Sequence, residues 1–121
     1  MTTGDNITEI DSLEFDADEA GIISMILIDS THFAIAYRGP DNDGFVKTFS
    51  IDGNCDNITE IDSLEFDTTY ASYISMILID STHFAIAYVK IDVVFKGYVK
   101  TFSIDGSYDN ITEIESLEFD S

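Results

Sequence analysis

Apolar and polar positions along this chain resolve into short runs, most of them alternating with period two as β-strands do, separated by turns rich in Asp, Asn, Gly and Ser. Four such runs make one unit. Run a, Ile23 to Ile28, is apolar on both faces apart from Ser24, the pattern of a strand covered on both sides. Run b sets large Phe33, Ile35 and Tyr37 against small Ala34 and Ala36, so one face takes bulk while the other lies close to a neighbouring sheet. Run c, Phe45 to Ile51, puts Phe45, Phe49 and Ile51 on one face and Val46, Thr48 and Ser50 on the other. Run d, Ile58 to Phe66, is the most amphipathic and belongs at a rim. It also carries a helical signal, because Asn57 to Glu60 has the capping-box form and Ile58, Ile61 and Leu64 share a helical face. Its end, Leu64 to Asp67, alternates with period two. The pattern therefore predicts a strand with a bulge near Ile61.

The runs repeat almost without change. ITEIDSLEFD stands at 7–16 and 58–67, with ITEIESLEFD at 111–120; ISMILIDSTHFAIAY stands at 23–37 and 74–88, and VKTFSIDG at 46–53 and 99–106. The copies are 51 and then 53 residues apart, close to the period of about 40–50 residues found in propeller repeats. The sequence thus predicts an all-β fold with two four-stranded β-propeller blades, residues 23–67 and 74–120, preceded by an extra outer-strand copy at 7–16. A β-sandwich is the runner-up, but its two sheets have no need of identical strands. Two blades cannot close a ring, and an isolated pair is expected to leave the face of Phe33, Ile35, Tyr37, Phe84, Ile86 and Tyr88 partly uncovered. The expectation is a homo-oligomer closed by rotation, six blades from three chains in preference to eight from four, held by exchange of strand 7–16 or 111–120 between copies.

LIDSTHFAIAY, DGFVKTFSID and ITEIDSLEFD resemble the a–b hairpin, strand c and strand d of the tandem-repeat β-propellers found in environmental and marine sequences. The resemblance covers nearly the whole chain. It implies the propeller fold and little about function, since that family is largely uncharacterised.

Charge narrows the partners. Twenty-four acidic against five basic residues give a formal charge of -19, a field that repels nucleic acid and anionic membranes. The 45% hydrophobic content places that charge on a folded surface. Cys55 is the only cysteine, so an intrachain disulfide framework is excluded, and the start of the sequence shows neither a basic-plus-apolar leader nor a membrane span.

Candidate chemistry is sparse. Asp29-Ser30-Thr31-His32, repeated at 80–83, contains triad residue types, but adjacent residues cannot face one another as nucleophile, base and orienter must. Turn-forming hydrogen bonds explain them better. Asp41-Asn42-Asp43-Gly44 and the Asp52, Asn54, Asp56 set resemble parts of a calcium loop, yet the closing Glu is missing and Asp-Gly is a common turn. No metal, cofactor or catalytic set is expected. The two units differ most in the d–a and b–c loops, which in an antiparallel blade emerge on one face. Arg38, Asp41, Asp43, Tyr70, Tyr73, Lys90, Asp92 and Lys96 are the candidate ligand-binding residues there, with tyrosines suited to a carbohydrate ring or a peptide. The sequence therefore predicts a noncatalytic, self-assembling and lectin-like binding module. Its alternative is a structural repeat, or a fragment of a longer propeller array, with no ligand of its own.

Overall fold

The computed structural model describes residues 7–91 and 93–120, which form an all-β protein. Sheet 1 has four strands in sequential order: β1 Gly21–Asp29, β2 His32–Arg38, β3 Gly44–Ile51 and β4 Ile58–Asp67. Sheet 2 repeats it with β5 Tyr70–Asp80, β6 His83–Ile91, β7 Phe95–Ile104 and β8 Ile111–Asp120. Every pairing is antiparallel.

Local chemistry sets the hairpins. Asp29 Oδ1 accepts from the Thr31 N–H at 2.8 Å, and Asp80 Oδ1 accepts from the Thr82 N–H at 2.9 Å, closing both first turns on side-chain oxygens. Asp52 and Asp105 do the same at the later turns, receiving the Asp56 and Asp109 N–H groups at 3.0 and 3.1 Å. Run d is a strand in both sheets. Its helix-like spacing comes from a bulge: Thr48 faces Asp62 while Phe49 faces Glu60, so Ile61 is the extra residue. Gly44 begins β3 because a Cβ there would stand 2.6 Å from the Phe66 ring.

The sheets stack in sequence, β1 against β5 and β4 against β8. Each has two distinct faces. The aromatic face carries Phe33, Ile35, Tyr37 and Phe49 in sheet 1, and Phe84, Ile86, Tyr88 and Phe102 in sheet 2. The small-residue face carries Ala34, Ala36, Val46 and Thr48, or Ala85, Ala87, Val99 and Thr101. Within the chain, the small-residue face of sheet 1 covers the aromatic face of sheet 2, and Ala34, Ala36, Val46, Phe84, Ile86 and Phe102 are all fully buried.

The aromatic face is more covered than the sequence suggests. Ile35, Tyr37, Phe84, Ile86 and Tyr88 are buried, because sheet 1 covers the second set and Phe15 packs edge-on against Tyr37 and Phe49 over the first, while Phe33 stays partly uncovered as expected. Exposed apolar side chains stand on the first and last strands of the sheets, Met25 and Leu27 on one side and Ile77, Ile79, Leu117 and Phe119 on the other, and also on residues 7–16 and around Val93 to Phe95. Residues 7–16, expected as an outer strand, form no strand within this chain and lie on sheet 1.

Candidate functional site

The loops between β2 and β3, and between β4 and β5, come together where the sheets meet. Arg38 ends β2 and Tyr70 begins β5. Arg38 Nη1 donates to Tyr70 Oη at 2.9 Å, and the guanidinium lies 5.0 Å from the ring centroid. Arg38 Nε is buried without a hydrogen-bond partner among the described residues. Lys90, in β6, spans Asp67 at 3.9 Å and the Tyr98 ring at 5.5 Å. Of the predicted site residues, Arg38 and Tyr70 are the two that the fold brings into contact.

Lys90 also lines a polar cleft of about 240 Å³, with Glu65, Asp67, Thr68 and Lys100. Asp67 anchors it from below: burial pushes its carboxyl up, but hydrogen bonds from Tyr88 and Thr69 and the charge of Lys90 outweigh that and hold it lowered. The Tyr88 hydroxyl donates to it at 2.6 Å, and burial together with that carboxylate raises the phenol. Asp43 stands beside Glu65 and raises its carboxyl through a shared hydrogen bond.

The other candidates are dispersed. Tyr73 is 69% exposed and sits in a β5 bulge with a left-handed backbone, φ 48°, a strained conformation that its counterpart Ile22 shares at φ 50°. Asp41, also left-handed at φ 60°, occupies the short Pro40–Asn42 turn. Lys96 lies 4.0 Å from Glu118. No hydrogen bond or ion pair among the described residues joins Tyr73 or Lys96 to the Arg38–Tyr70 pair. Asp92 lies outside the described residues.

At the opposite turns is a cluster that sequence reading missed. Tyr108 stacks on His32 with ring centroids 3.8 Å apart, and its hydroxyl donates to Asp29 Oδ2 at 2.6 Å. That bond is the main reason the Asp29 carboxyl is held far below its usual range, with the Thr31 and His32 bonds adding to it. In sheet 2 the same turn is open. His83 bonds Asp80 at 2.9 Å and holds its carboxyl down to about 2, but no ring among the described residues stacks on it. The signal was present in sequence: Tyr108 is one of the two residues by which the β7–β8 turn differs from its counterpart, where Cys55 stands in its place.

Both histidines bond Asp and Thr through Nδ1, and neither Ser30 nor Ser81 takes part. Among the described residues, no group of three His, Cys, Asp or Glu side chains is placed to hold a metal ion. The loop end presents tyrosine rings and paired charges. No protein-family model matches the chain, no curated protein matches it, and no solved structure matches it.

Proposed function

We propose that this chain is a noncatalytic β-propeller segment that assembles with copies of itself and presents its β2–β3 and β4–β5 loop end as a multivalent, lectin-like binding face. The carrying observation is a pair of complementary faces. Inside the chain, the sheet junction buries Ile28 at 7%, Ile74 at 8% and Met76 at 5% exposure. Their counterparts Ile79, Ile23 and Met25, at 55%, 55% and 58%, lie open on the two outer faces.

A second copy stacked head to tail sets the aromatic side of one sheet 1 on the small-residue side of another sheet 2, repeating the internal junction. Moving each half-exposed side chain to full burial contributes about 1 kcal/mol. One half is marked by an open groove of about 490 Å³ lined by Met25, Leu27, Phe33 and Cys55, and the other by the small β7 side chains Val99 and Thr101. Rotation closes such contacts into a ring of three copies, favoured here over four.

Leu27→Arg places a charge on the open face without touching the internal junction. It is expected to keep the β circular-dichroism spectrum and sediment as a single chain; a variant that sediments like the unaltered assembly sinks the reading. For the ligand, the supporting observations are Tyr73, 69% exposed on a strained backbone, and, apart from it, the Arg38–Tyr70 pair. Carbohydrate and peptide arrays test it. Saturable binding lost in Tyr70→Ala/Tyr73→Ala supports recognition, and a blank array leaves a purely structural repeat.

A further inference from the structure

Residues 7–16 hold sheet 1 through the same contacts with which β4 holds sheet 2. Tyr37 Oη donates to Asp16 Oδ2 at 2.9 Å, as Tyr88 donates to Asp67. Lys47 reaches the Phe15 carbonyl at 2.5 Å, and Lys100 reaches that of Phe66 at 2.6 Å. Phe15 meets Tyr37 edge-on at 5.0 Å and 72°; Phe66 meets Tyr88 at 5.1 Å and 68°. The Ile58 N–H donates to Asp11 Oδ2 at 2.9 Å, and the Ile111 N–H donates to Asp62 Oδ2 at 2.9 Å. The N-terminal copy therefore already stands where the outer strand of a preceding sheet belongs. What it lacks is a strand beside it. Ile7 is 91% exposed and Ile10 61%, whereas Ile111, the counterpart of Ile7 inside a ladder, is 6% exposed.

We infer that residues 7–16 are the outer strand of a neighbouring copy's sheet 2: they stay on their own sheet 1 and pair antiparallel with the partner's β7, in place of the partner's residues 111–120. The inference rests on the self-assembly proposed above and names the element that fastens it. Repetition alone leaves 7–16 and 111–120 interchangeable, but the structure separates them at one residue. The position that caps the next outer strand's first N–H is Asp at 11 and at 62, and Glu at 115. Glu115 is one methylene longer, so it would have to fold its side chain back to reach the Ile58 N–H, losing the short direct bond that Asp makes. Asp11 already makes that bond. Retaining 7–16 also means that a covalent link crosses every junction: residues 17–20 lead from the strand to β1 just as Thr68 and Thr69 lead from β4 to β5.

The pairing is read by cross-linking. In sheet 2, Ser103 faces Thr112, and Thr8 is the counterpart of Thr112 in the N-terminal copy. With Cys55→Ser as background, Thr8→Cys/Ser103→Cys and Thr112→Cys/Ser103→Cys are treated with a short bismaleimide after assembly. All these exchanges are small for small. The first variant is expected to give covalent multimers on a denaturing gel, and the second to give no internal cross-link in assembled protein. A second measurement is the chain cut after Asn110, which is expected to keep the assembled mass. Internal cross-linking of Thr112→Cys/Ser103→Cys, absence of multimers from Thr8→Cys/Ser103→Cys, or loss of assembly on truncation overturns the strand assignment in a protein that still assembles. An unaltered chain that never leaves the single-chain mass overturns the self-assembly reading instead.

Discussion

Replacing Cys55 with Tyr should strengthen the contact between copies. Within the chain, the equivalent position is Tyr108, which shares the left-handed backbone of Cys55, φ 62° against 61°, so the exchange costs no new backbone strain. Tyr108 lies on His32 with the rings 17° from parallel and bonds Asp29, tying the turn of sheet 2 to that of sheet 1. In a head-to-tail contact, Cys55 of one copy faces the partner's His83 and the partner's Asp80, which are open in the single chain. A tyrosine there restores the stack, worth about 1 kcal/mol, or about fivefold in affinity per junction, and the hydroxyl bond adds to it. The assay is dilution-driven dissociation of Cys55→Tyr followed by sedimentation. Combining it with His83→Ala isolates the stack as a coupling term. The reasoning fails if Cys55→Tyr dissociates at the same concentration as the unaltered chain, or if its gain survives His83→Ala undiminished.

Four further outcomes follow from the geometry and the charge. Asp67→Ala leaves the buried Tyr88 hydroxyl unpaired and should cost about 1–3 kcal/mol in urea unfolding, far more than Asp120→Ala at its exposed counterpart. Because the Asp29 and Asp67 carboxyls are lowered in the folded chain, their stabilisation is complete above the unfolded value of about 3.9 and is lost as pH falls through the folded values. Acid titration of unfolding stability should therefore show a decline below about pH 4 that is smaller in Tyr108→Phe. Gly44→Ala should destabilise the chain by about 1–3 kcal/mol, since its Cβ meets the buried Phe66 ring, whereas Gly97→Ala meets Phe119, which is 59% exposed and free to swing aside. Finally, with -19 charges per chain, assembly should tighten as sodium chloride rises from about 20 to 200 mM, an effect read by sedimentation.

The strands and their order were legible because the chain states each of them twice. Period-two alternation marked runs b and c, and the bulge at Ile61 explains why run d carried a helix-like spacing without being a helix. Asp29 and Asp80 were readable as turn residues, since a short carboxylate closing on the N–H two positions on is local chemistry. Contacts between sheets were another matter. Nothing local pairs Tyr88 with Asp67, 21 residues away, or lays Tyr108 over His32. Identical sequence also hid unequal surroundings: Met25 and Met76 belong to the same motif, yet one is open and the other buried, because only the second has a sheet before it. At the loop end, the list of exposed residue types was readable, while the Arg38–Tyr70 pair depends on how one sheet leans on the next. The strained backbone that displays Tyr73 had no sequence signature, since neither Ile22 nor Tyr73 is a residue that favours a left-handed conformation.

Native mass spectrometry of the unaltered chain shows whether its two outer faces close on each other. The expected spectrum is a single closed species at three times the 13.5 kDa chain mass, with four times as the other allowed closure. A protein that stays at 13.5 kDa across the concentration range, or that grows without closing, contradicts it.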